Sequence, residues 1–169
     1  MRLVRRLILF STFLFSLGFT NLEKMLSKHR AGLVAIGMSA NEVYDLAGKE
    51  NTTLIDLYLE GMYSPALAIT NGKHTDPSLV LEMVCDKVWR VNVYDAAYKT
   101  KEGIGVGATF GDLKKKYKVT SIEIGEGRVF AYVEELDMSF CLEHLGPVKA
   151  DLGVEDIRNE ARISKILVL

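Results

Sequence analysis

Hydrophobic and polar positions alternate in several short runs of this chain and recur at helical spacing in two others. Ile55, Leu57 and Leu59 alternate with Asp56, Tyr58 and Glu60, the two-residue period of a half-buried strand. Trp89, Val91 and Val93 share one face of a second such run, with Arg90 and Asn92 opposite, so Trp89 is expected in the core. Residues 66–69, 79–85, 119–124, 128–133, 138–142 and 163–169 read as further strands, and Gly125-Glu126-Gly127 reads as a tight hairpin turn. Helical spacing links Ala40, Val43 and Ala47, and again Phe110, Leu113 and Tyr117. Ser39 with Glu42 has the form of a capping box, and Thr109 with Asp112 is a close relative of it. In each, the hydroxyl can accept from an orphan amide of the first turn while the carboxylate favours the positive end of the helix. Both helices should be short, about three turns at most.

The two helix starts resemble one another, and so do two of the strands. Residues 37–43 align with 107–113, and 87–93 with 162–168. The expected fold is therefore α+β, two tandem units that are each a short helix followed by an antiparallel β-meander. The units span 33–95 and 103–169, joined by a polar crossover at 96–102 and preceded by a lead-in helix or arm at 19–32.

Residues 1–18 change the setting. Arg2, Arg5 and Arg6 stand ahead of an uncharged apolar run from 7 to 19, the pattern of a secretory signal peptide. An uncleaved N-terminal anchor is the competing reading, although the run is shorter than the roughly twenty residues a spanning helix prefers. Without those residues 18 basic side chains face 22 acidic ones, a net charge of −4. The expectation is an exported protein, periplasmic or secreted, with no nucleic-acid partner and no membrane contact beyond such an anchor. Cys85 and Cys141 are an even pair in a compartment where disulfides persist, so a bridge between them and two buried thiols are both open.

The stretch Gly37-Met-Ser-Ala-Asn-Glu-Val43, closed by Gly48 and followed by strand patterning, resembles the SmpA/OmlA (BamE-like) envelope module. A tandem pair of such units is similar to the β-lactamase-inhibitor-protein-like fold, as found in uncharacterised secreted bacterial proteins. The resemblance implies a helix-plus-meander fold and a non-enzymatic, envelope-associated or inhibitor-like role.

Little in the sequence points to catalysis. His29, His74 and His144 are dispersed, there is no Cys-x-x-Cys, and the serines lack a nucleophile elbow, so neither a metal nor another cofactor is expected, and a hydrolytic enzyme is the least supported reading. Tyr58, Arg90, Tyr94, Phe130 and Tyr132 are the candidate partner-binding residues, because aromatics and arginine on one sheet face are how a protein surface concentrates binding energy. The protein partner itself is unknown. The alternative is a small-ligand or anion site on the loop from Gly103 to Thr109, using Lys99, Lys101, Gly105, Gly107 and Thr109.

Overall fold

Gly37 and Gly107 adopt the same backbone, each with a φ of 86°, a region that favours glycine. The Gly37 amide donates to the Val88 carbonyl at 2.7 Å, and the Gly107 amide donates to the Ile163 carbonyl at 2.8 Å. The same two residues return the bond, the Val88 amide to the Met38 carbonyl at 2.8 Å and the Ile163 amide to the Ala108 carbonyl at 2.9 Å. Each glycine thus ties the start of a helix to the strand beneath it. Helix α1 (Ala40–Ala47) opens with Ser39 and Glu42 in a full capping box, and α2 (Phe110–Lys116) opens with the Thr109 oxygen accepting from the Asp112 amide at 3.1 Å. Three lysines close α2, where cations suit the negative end of the helix.

The computed structural model describes residues 23–59, 61–70, 76–125, 127–143 and 152–169. The proposed signal peptide lies outside them. Two sheets are present. The larger is built from β4 (Thr52–Leu59), β5 (Met62–Thr70), β6 (Pro77–Val84), β7 (Lys87–Val93), β9 (Ser121–Gly125), β10 (Arg128–Val133), β11 (Met138–Leu142) and β12 (Ile163–Val168), in the order β4-β5-β6-β7-β12-β11-β10-β9. Every neighbour in it is antiparallel. The smaller joins β1 (Met25–Ser27), β2 (Arg30–Ala31), β3 (Val34–Ala35) and β8 (Lys99–Thr100).

This corrects the expected α+β fold of two tandem helix-plus-meander units. The protein is mostly β. The eight long strands form one sheet because β7 and β12 pair edge to edge, Val93 opposite Ile166 and Val91 opposite Val168, leaving neither as an open edge. The described part of the lead-in, 23–32, and the crossover at 96–102 supply strands of the second sheet, with Leu26 opposite Thr100 in parallel. Helices of seven and eight residues are too short to form layers of their own. Together with the small sheet and the segment around Ile157 they cover one face of the large sheet. The main core lies there, with Leu26, Val34, Val43, Phe110 and Leu113 packed on Leu81, Val91, Phe140 and Ile166.

The register of the large sheet shifts at three places: between β5 and β6, where Ser78 is the extra residue, and at two bulges nearer its middle. Between β6 and β7 the pairing passes from Glu82 opposite Arg90 to Met83 opposite Val88, which leaves Trp89 as the extra residue. Between β11 and β12 it passes from Cys141 opposite Lys165 to Leu142 opposite Ile163, which leaves Ser164 extra. Strict alternation would have carried Trp89 into the core beside Val91 and Val93. The bulge gives that place to Val88 instead, and Trp89 is 57% exposed. The expectation of a buried tryptophan is overturned.

Candidate functional site

Register sorts the sequence candidates between the two faces of the large sheet. On β10, Val129, Ala131 and Val133 point into the main core, so Phe130 and Tyr132 face the helix-free side. Arg90 is there too, opposite Glu82. Tyr58 is not. Ile55 pairs with Ala66 and packs on the helix-free side with Leu57, Ala68 and Val80, so Tyr58 alternates onto the helix side. There it stands clear of the core, tilted against Tyr63 with ring centroids 5.1 Å apart. The five candidates therefore do not form one patch. Phe130 is also buried, beneath Leu167 and Cys141 with the Lys165 ammonium over its ring at 5.8 Å.

What the helix-free face carries, and the sequence candidates touched only at Arg90, is a buried polar layer. Arg90 Nε and Nη2 donate to the two Glu82 oxygens at 2.9 and 2.8 Å, and Asn92 Nδ2 donates to Glu82 Oε1 at 2.7 Å. Glu82, Asn92, Ser139 and Lys165 are all buried. Their signal in the sequence was present but split: one polar residue every second position, on strands distant in the chain. At the far end of this layer the Tyr132 hydroxyl donates to Asp137 at 2.9 Å, a bond that raises its pKa above the usual tyrosine value.

Beside the polar layer lies a groove of about 830 Å³. Ile55 and Leu57 of β4 form one bank, and Val80 and Tyr94 the other. Pro77, Ser78 and Ala97 complete the lining, and the small Ala66 and Ala68 of β5 lie buried against Ile55, Leu57 and Val80. One end is charged. Lys24 Nζ donates to Asp95 Oδ2 at 2.8 Å and lies 5.0 Å from the centre of the Tyr98 ring. Burial pushes the Asp95 carboxyl up, but the Lys24 hydrogen bond and the Ala97 amide outweigh it and hold the pKa below its ordinary value. Burial, with the charges of Asp95 and Glu23, pushes the Tyr98 hydroxyl up to about 12. The groove can accept apolar side chains between its banks and a polar or charged group at its end.

The glycine loop is arranged differently. Its Gly103 amide donates to Thr100 O, the Ile104 amide to Thr100 Oγ1 and the Gly107 amide to Ile163 O. A side chain at Gly105 would collide with the Tyr98 carbonyl. Lys99 Nζ turns onto the Val106 carbonyl at 3.5 Å, Lys101 is exposed, and Thr109 Oγ1 is bonded to Asp112. These amides and the Thr109 hydroxyl serve the fold rather than a common cradle. A depression of about 650 Å³ at the start of α2 is lined by Thr109, Lys114, Lys115 and Arg162, and neither Lys99 nor Lys101 reaches it.

The cysteines are also apart in character. Cys85 is exposed in the turn between β6 and β7, not in a strand, and Cys141 is buried in β11. Both thiols are free, and only Cys141 is buried. Cys85 and Asp86 each hold a positive φ, the conformation of a two-residue hairpin turn, so the strand that ends at Val84 never carries Cys85 to the Cys141 face.

Among the described residues no group of three or more His, Cys, Asp or Glu side chains could hold a metal ion, and no helix is long and apolar enough to cross a membrane. No protein family matches the chain, and no curated protein is significantly similar. A crystal structure of the uncharacterized protein yfeY from Escherichia coli is similar in fold. It aligns with a TM-score of 0.58 at 13% identity over 86% of this chain and 96% of that one.

Proposed function

We propose that this chain is an exported, non-enzymatic protein-interaction module, envelope-associated or inhibitor-like, that works through the groove on its helix-free face. The observation that carries the reading is the apolar trough lined by Ile55, Leu57 and Val80 with the exposed Tyr94 at its lip. An accessible aromatic beside an apolar depression is the usual anatomy of a binding anchor and its pocket. Arg90 and Phe130 belong to this face as structure rather than as contacts. The first fills the charge requirement of Glu82, and the second lies under its neighbours. The SmpA/OmlA-like residues around Gly37 are consistent with an envelope setting, and they concern the local tie to Val88 rather than the groove.

Site-specific photo-crosslinking in the native host tests the assignment. A crosslinking residue at Tyr94 or Leu57 should trap one discrete partner, and the same group at Lys101 should not. Adducts at Lys101 alone would move the site to the glycine loop.

A further inference from the structure

The two edges of the large sheet are finished differently. β9 is five residues long and carries Glu123. β4 runs for eight residues, pairs with β5 without a bulge over its whole length, and holds Asp56 as its one charge. It has no proline and no lysine. Among the described residues no strand takes its outer edge. Edges left long, flat and apolar pair with other chains, and proteins that must stay single blunt them. The hairpin also bears Leu54, Tyr58 and Tyr63, exposed on a part of the helix side that the core leaves uncovered, and Met62, exposed on the other face.

A strand that meets its own copy about a twofold axis places residue i opposite a fixed counterpart. Centring the axis on Asp56 would set two carboxylates face to face, which is unfavourable. Centring it on Ile55 sets Ile55 against Ile55 of the copy and Thr53 against Leu57, and puts Asp56 opposite Leu54, away from its equal. The apolar cluster of Ile55, Leu57, Ala66, Ala68 and Val80 then continues into the second copy. The bank of the groove formed by Ile55 and Leu57 becomes an internal ridge between two grooves. We infer that β4 is the seam of a twofold dimer in which the two large sheets join into one. This inference stands whether or not the groove binds a partner. The seam is short, so the dimer belongs with the small, reversible interfaces.

Disulfide trapping in the native host, with the full chain and Cys85→Ser as background, tests the register. Ile55→Cys should give a covalent dimer on oxidation, since the two residues face each other at the distance of a cross-strand pair. Asp56→Cys should give at least tenfold less. Sedimentation of the wild-type chain as its host processes it should show a doubling of mass as concentration rises. Ile55→Lys should abolish the doubling, and Glu123→Lys on the other edge should not. A monomer at every concentration, equal trapping at both positions, or capture of β4 by a different protein would overturn the inference.

Discussion

Arg90 lies directly opposite Glu82 in the β6–β7 pair and closes on its carboxylate with two hydrogen bonds. The Glu82 side chain is only 8% exposed, so it depends on that guanidinium for its charge balance. Removing one partner of a buried pair leaves the other charge uncompensated and typically costs about 3–5 kcal/mol. Arg90→Ala should therefore lower the free energy of unfolding by an amount of that order, read from the denaturant midpoint. Arg90→Met combined with Glu82→Leu should recover much of it. A loss below about 1 kcal/mol for the single change, the size of an ordinary surface pair, would show that the pair is solvated.

Trp89 is the chain's one tryptophan, and the bulge turns it away from the core. Its fluorescence in the native state should be red-shifted and open to quenching by acrylamide almost as fully as in the unfolded chain. A blue-shifted, protected emission would mean that the β6–β7 register lacks the bulge.

The thiols should separate by reactivity. Native protein should take up one equivalent of a thiol reagent at Cys85 quickly, and Cys141 should react only on unfolding. Mass spectrometry that finds a Cys85–Cys141 bridge in protein from its native host would contradict the placement of Cys85 in the turn.

These outcomes follow where sequence and structure part. The capping pairs at Ser39 and Thr109 were legible because they are local: the hydroxyl, the carboxylate and the first amides lie within three residues. Alternation also separated Val129, Ala131 and Val133 from Phe130 and Tyr132 correctly. It could not say which side of β4 meets the helices. There the apolar set Ile55 and Leu57 packs on the helix-free face, and Leu54 and Tyr58 face the helix side without being covered. It also could not foresee an extra residue at Trp89, since a bulge shifts the period without a local mark. The strands of the small sheet are two or three residues long and offer too few positions for any period. The joining of β7 to β12 is a pairing across some seventy positions and is written in neither strand alone. The groove was invisible for the same reason, because its banks come from β4, β6 and the end of β7.

Acid and base should each weaken the charged end of the groove, through different groups. Asp95 has a folded pKa below its ordinary value, so its contribution to stability is present above the unfolded pKa and is lost as pH falls through the folded one. Asp95→Asn should remove that part of the acid dependence. Tyr98 has a folded pKa raised from 10.0 to about 12, so its contribution is full below 10.0 and is lost as pH rises toward about 12. Tyr98→Phe should make unfolding less sensitive to alkali over that interval, measured by thermal melts across pH. An unchanged alkaline slope would place the hydroxyl in water.

Partner binding is expected in the groove and not on the glycine loop. Affinity capture from envelope extracts of the native host should be run with the wild-type chain, with Tyr94→Ala, with Leu57→Asp and with Lys99→Ala/Lys101→Ala, each first shown to melt cooperatively. One partner should be recovered by the wild type and by the lysine pair. Tyr94→Ala should weaken its binding by about thirtyfold, the 2 kcal/mol expected of a central anchor, and Leu57→Asp should abolish it. Full recovery by both groove variants with loss in the lysine pair would contradict the groove assignment.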